Sequence, residues 1–217
     1  MFQRTVLSTA TLLAALATGA NAQTPLPVPT VGYSADRVME TEAGTFTGTV
    51  HAMPDRDRSE TTMGGMSTVI ILRRDLQSGW MLMPAQKMYQ ELGFGEARKQ
   101  SGAAPADVSI EVVGPDTVEG TATTKYKLLM KDGSAGGFMW FTAEGIPMRM
   151  DMLTKNGKKT ERMTVTLKNL QVGPQDPSLF EPPADFNKMG GGFGGMKGLG
   201  GGFSGLGGFG RKRNSGN

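Results

Sequence analysis

Residues 146–172 read IPMRMDMLTKNGKKTERMTVTLKNLQV, two alternating runs of apolar and polar residues on either side of Asn156-Gly157. Asn-Gly is the favoured dipeptide of a two-residue type I′ hairpin turn, because both central residues need positive φ. A turn centred there predicts Met150 opposite Met163, Met148 opposite Val165 and Ile146 opposite Leu167, with Asp151 opposite Arg162 and Arg149 opposite Thr164 on the other face. One face is then apolar and one polar, whereas a slip of one residue would set Met150 against Arg162. Turn chemistry and hydrophobic pattern predict the same antiparallel hairpin.

The strand before it joins through Ala143, Glu144 and Gly145, a three-residue loop that needs only Gly145 in the left-handed region; a two-residue turn would force Glu144 there. This loop brings Trp140 opposite Met148 and Phe138 opposite Met150. One strand earlier, Tyr126, Leu128 and Met130 alternate with Lys125, Lys127 and Lys131, and Asp132-Gly133 ends the run. The expectation over 120–172 is a meander of four antiparallel strands whose inner face carries Tyr126, Leu128, Met130, Phe138, Trp140, Met148, Met150, Met163, Val165 and Leu167.

Upstream, Tyr33 to Glu42, Gly44 to Met53, Asp55 to Met63 and Met66 to Arg74 read as four short strands punctuated by Gly, Pro and Asp. Val69 to Leu72 is apolar at every position, which predicts a strand covered on both faces. Gly79 to Met83 and Lys87 to Leu92 continue the pattern around Pro84. A loop with a short helix is expected over 93–106, and a strand over Val108 to Val113. After Val172, Pro174 and Pro177 break the sheet and Ser178 to Phe180 can make one turn. The fold class that follows is mainly β: an incomplete, open antiparallel β-barrel of about ten to eleven strands with few short helices.

Met1 to Ala22 has the form of a signal peptide, with Arg4 as the positive region, Val6 to Ala17 as the apolar region and Ala20-Asn21-Ala22 as the cleavage site. The expected organisation is therefore a signal peptide over 1–22, a β-domain over 23–188 and a Gly-rich tail with a basic end over 189–217. The chain has no cysteine, which removes disulfides, thiolate catalysis and cysteine metal sites. Of its 23 Lys and Arg, five lie in the signal or the tail, so residues 23–188 hold 18 against 20 acids. The basic character belongs to the tail, and nucleic acid is not an expected partner.

Three blocks resemble an exported bacterial domain-of-unknown-function family of the lipoprotein-localisation superfamily, that of LolA and LolB. They are Tyr33 to Asp36 with Arg58 to Glu60; Arg73 to Asp75 through Trp80 and Pro84 to Glu91; and Trp140 with Gly145-Ile146-Pro147 leading to Asp176 through Pro183. The resemblance implies a periplasmic open β-barrel wrapping an apolar cavity that takes a lipid, an acyl chain or a lipoprotein. It departs from the carriers in lacking convincing lid helices.

The expected ligand-binding residues are Trp80, Tyr126, Leu128, Phe138, Trp140, Met148, Met150 and Val165, which can equally fill a core. Met81 with Met83, and Met148, Met150 and Met152, place thioethers on single strand faces, so a Cu(I) site is a third reading behind flexible packing. His51, the one histidine, has outward parity. Arg58, Glu60, Arg73, Arg74 and Asp75 read as solvated faces, with a network of ion pairs as the alternative. No catalytic motif, cofactor or metal site is expected. In the tail, Phe193, Met196, Leu199, Phe203, Leu206 and Phe209 recur at helical spacing among 13 glycines between 190 and 210. That segment reads as a disordered linker, or as an interaction segment contacting a partner or a membrane surface with Arg211-Lys212-Arg213.

Overall fold

The computed structural model describes residues 25–100, 108–157 and 159–189. The signal peptide and tail expected from the sequence lie outside the described residues. Strands β1 (Tyr33–Thr41), β2 (Gly44–Met53), β3 (Arg56–Met63), β4 (Met66–Arg73), β5 (Ser78–Met83) and β6 (Met88–Gly93) form one half of a single open sheet. Helix α1 (Phe94–Gln100) follows, and then β7 (Val108–Val118), β8 (Thr121–Met130), β9 (Ala135–Phe141), β10 (Pro147–Asn156) and β11 (Lys159–Val172). A two-residue strand β12 (Asn187–Lys188) pairs parallel to β6, and the sheet order is β12-β6-β5-β4-β3-β2-β1-β11-β10-β9-β8-β7. The meander β8 to β11 joins β1 directly, so the chain connects its two halves through the β1–β11 pair.

The β10–β11 hairpin departs from the sequence expectation by two residues. Asn156 pairs with Lys159, Met152 with Met163 and Met150 with Val165, so Asn156 belongs to the strand and Gly157 opens the loop. Gly157 has φ of 63°, and both primed hairpin turns need positive φ at that first loop position. A shift of two leaves every side chain on its own face, so alternation cannot distinguish the two registers. Arg162 still reaches Asp151, now diagonally, with two hydrogen bonds of 2.8 and 2.6 Å.

The expected inner face needs a larger correction. Tyr126 pairs with Met139 and Lys125 with Trp140, so Phe138 and Trp140 lie on the face opposite Tyr126 and Leu128. A bulge between Pro147 and Arg149 then sets Met150 against Met139 and Arg149 against Trp140, not Met148 against Trp140. Alternation by residue number fails across these connections because each loop or bulge length resets the parity.

Following the pairings gives the true inner row: Tyr126, Met139, Met150, Val165, Met39 and Phe46, across β8, β9, β10, β11, β1 and β2. Opposite-face neighbours such as Asp36, Glu40 and Thr45 are exposed. Strand β4 is covered on both faces, as its composition predicts. Ala97 of α1 seats over Gly79, and on the other face Phe180 packs with Val69, Ile71 and Leu82. Phe180 belongs to a 3-10 turn, Pro177–Phe180, capped by Asp176, whose carboxylate accepts from the Ser178 amide at 2.9 Å. The N-terminal segment is also docked. Leu26 packs near Met139 and Phe141, and the Thr30 amide donates to the Glu144 carbonyl at 2.9 Å.

Candidate functional site

The inner row gathers apolar side chains from six strands on one face of the sheet. Met39, Met139 and Val165 are buried, while Tyr126, Met150 and Phe46 are half-buried and stay within reach of a ligand. Met152 pairs with Met163 two residues further along the same hairpin face. Thioethers suit such a surface, because unbranched Met side chains repack around irregular apolar shapes. Met139 and Met150 share one apolar cluster with Leu128, Phe141 and Ile110.

Tyr126, Leu128, Met150 and Val165 are on this face, four of the eight residues singled out from the sequence. Met148 is held in the β10 bulge and buried with Tyr33 and Leu167. Trp80 lies elsewhere, opposite Ile71 and against the Phe180 turn. Trp140 shares the buried cluster of Met148, Phe138 packs against it, and both rings also face cations. The Lys125 ammonium lies 4.2 Å from the Phe138 ring centroid and 4.9 Å from that of Trp140, and the Arg149 guanidinium stands 5.4 Å over Trp140. The Trp140 indole donates to Asp116 at 2.7 Å, which holds that carboxyl below the usual range. Near it, Gly136 leaves a notch of about 320 Å³ between the exposed Leu129 and Leu153, bordered by Phe138, Lys127 and Lys155.

The sequence reading missed Met39, Phe46 and Met139, and it missed the polar group beside them. Arg37, Tyr33, Asp57 and Ser59 share the inner face, as the pairings Tyr33–Ala52–Asp57 and Ala35–Val50–Ser59 require. Arg74 donates to Asp57 at 2.6 Å. Burial pushes the Tyr33 hydroxyl well above its ordinary range, with Asp57 adding to the effect. Burial also raises Asp57, against the pull of Arg74 and Arg37. The signal was present in the alternation Tyr33, Ala35, Arg37, Met39, where one cation interrupts an apolar face.

Arg58, Glu60, Arg73 and Asp75, singled out from the sequence, are ion-paired, as is Arg56 beside them. Arg73 pairs with Asp75 at 2.6 Å and with Glu181, Arg56 with Asp55 at 2.7 Å, and Arg58 with Glu60 at 3.6 Å. Arg58 also donates to the Leu179 carbonyl at 3.4 Å, so these residues fasten the Phe180 turn to the sheet. His51 meets the Gln175 side chain at 2.9 Å. Among the described residues no three His, Cys, Asp or Glu gather as metal ligands, and no helix is long and apolar enough to cross a membrane.

The described chain is an open antiparallel sheet with an apolar inner row, a helix seated on that face and few other helices. Residues 39–146 match the signature of a domain of unknown function, DUF4412. Comparison with curated proteins returns no match. Among solved structures, an uncharacterized conserved protein from Thermus thermophilus is similar, with TM-score 0.53 and 12% identity over 74% of this chain and 90% of that one. More distant are a putative outer membrane lipoprotein-sorting protein domain from Vibrio parahaemolyticus and the Mycobacterium tuberculosis lipoprotein LppX. The first has TM-score 0.33 and 10% identity over 69% of this chain and 89% of its own. The second has TM-score 0.36 and 12% identity over 63% and 85%. At 12% identity the likeness to the Thermus thermophilus protein is one of fold.

Proposed function

We propose that the domain is a non-catalytic protein of the bacterial cell envelope that binds a hydrophobic ligand, an acyl chain or lipid, along the inner row. The observation that carries this reading is the unbroken apolar row from Tyr126 to Phe46, whose half-buried members leave apolar surface open on the face where α1 and Leu26 also seat. Burying apolar area is worth about 25 cal/mol per Å², so a long chain laid on that row gains affinity without any specific polar contact. Shape and reach, more than hydrogen bonds, then select the ligand.

A fluorescent fatty-acid probe tests it. The wild type should bind saturably, and Met150→Asp, which puts a charge among the thioethers, should weaken binding by about tenfold or more. Leu153→Asp, on the outer notch, should leave binding unchanged. Absence of probe binding by the folded wild type, or loss through Leu153→Asp with Met150→Asp neutral, sinks the inner-row reading.

A further inference from the structure

Arg37 is the one cation set among apolar neighbours on the inner face of β1. Ala35 and Met39 flank it on its own strand, and its cross-strand partners are Leu167 on β11 and Gly48 on β2, which offers no side chain. Among the described residues it has no hydrogen bond and no ion pair within 4 Å, although it feels Asp57 and Tyr33 through space. Asp57 is already engaged by Arg74 at 2.6 Å. Arg37, Arg74 and Asp57 together carry one surplus positive charge.

A guanidinium stays protonated near neutral pH even when burial lowers its pKa, as it does here. A charge in apolar surroundings is costly unless an opposite charge meets it, and an apolar residue of similar size would be cheaper at the same place. A guanidinium presents a planar fork of donors that fits carboxylate or phosphate oxygens with two parallel hydrogen bonds. Met39, a member of the apolar row, lies two residues along the same face, about 7 Å away. From β1 to β8 the row then crosses four strand spacings, about 19 Å. A cationic end followed by a long apolar track is the shape complement of a molecule with an anionic head and an acyl tail.

We propose that Arg37 is the anion-binding residue of the inner site and that the ligand is an anionic amphiphile. Its carboxylate or phosphate sits on the guanidinium and its chain runs along Met39, Val165, Met150, Met139 and Tyr126. This rests on the inner row being the ligand site.

Titration calorimetry of the full chain with palmitate, hexadecyl phosphate and hexadecanol separates the two claims, with acetate and inorganic phosphate as heads without tails. Palmitate and hexadecyl phosphate should bind about tenfold or more tighter than hexadecanol, and the two small anions should not bind measurably. Arg37→Met should shrink the advantage to about twofold or less while hexadecanol binding persists, and Arg37→Lys should keep most of it. Asp57→Asn frees Arg74 and should widen the preference. Equal binding of the charged and neutral chains by the wild type overturns the role of Arg37 and leaves the inner row standing. Failure of all three chains overturns both. Tight binding of inorganic phosphate alone overturns the amphiphile, and an Arg37→Met variant that unfolds cooperatively yet keeps the preference overturns the residue. Should Arg37→Met not fold, an unchanged preference in both Arg37→Lys and Asp57→Asn does the same.

Discussion

Gly79 on β5 lies directly under Ala97 of α1: a β-carbon placed on Gly79 would come 2.4 Å from the Ala97 β-carbon and 2.6 Å from the Ile71 carbonyl oxygen. The helix can seat on the inner face only because this strand position has no side chain. Gly79→Ala should destabilise the domain by about 1–3 kcal/mol in urea unfolding, the usual penalty of overpacking. Ala97→Gly in the same chain should restore part of that, because the clash with the backbone oxygen remains. Full restoration would show that the helix contact alone sets the constraint.

Phe180 is fully buried against Val69, Ile71 and Leu82. Phe180→Ala should cost about 3–5 kcal/mol, read as a lower midpoint at unchanged denaturant slope. Deletion of residues 177–217 should be at least as damaging. Deletion of 190–217 alone should leave the midpoint in place, since a stretch with 13 glycines between 190 and 210 contributes little to a cooperative core.

Trp140 is buried in the cluster of Tyr33, Met148 and Leu167 and hydrogen-bonded to Asp116. Trp140→Ala should therefore cost about 3–5 kcal/mol of stability and leave acyl-probe affinity of the folded fraction unchanged. A loss of affinity without loss of stability would move the ligand to the Trp140 cluster.

Hydrogen bonds from Arg73, at 2.8 and 2.6 Å, hold the Asp75 carboxyl down to about 2. A carboxylate depressed on folding adds stability that is present above its unfolded value, about 3.9, and is lost as pH falls through the folded value. The domain should lose this contribution between about pH 4 and 2, and Asp75→Asn should flatten that part of the stability profile. Solvent screening keeps the effect to about 1 kcal/mol or less. Carboxyl chemical shifts across the same range check the titration directly.

Much of the architecture is legible in local chemistry. Strand positions follow from Thr- and Val-rich runs between Gly, Pro and Asp, and the double covering of β4 follows from Val69 to Leu72 being apolar throughout. Half of the expected binding residues are on the inner face because alternation within a strand is robust: Tyr126 with Leu128, and Met150 on its own strand. Composition also set aside disulfides and cysteine chemistry, since no cysteine exists to supply them.

Which strand faces join into one surface was decided only by the tertiary structure. Phe138 and Trp140 fall on the other strand face from Tyr126 and Leu128 because the β8–β9 pairing sets Lys127 and Lys125 beside them. The Pro147–Arg149 bulge and the Gly157 turn set registers that a period of two does not encode, because a shift of two residues preserves every face. The apolar setting of Arg37 on β1 was equally invisible. It arises from Leu167 and Gly48, 130 residues and 11 residues away in sequence, which the β1 pairings place on either side of it. A residue's own strand tells which way it points, but only long-range pairing tells what it meets there.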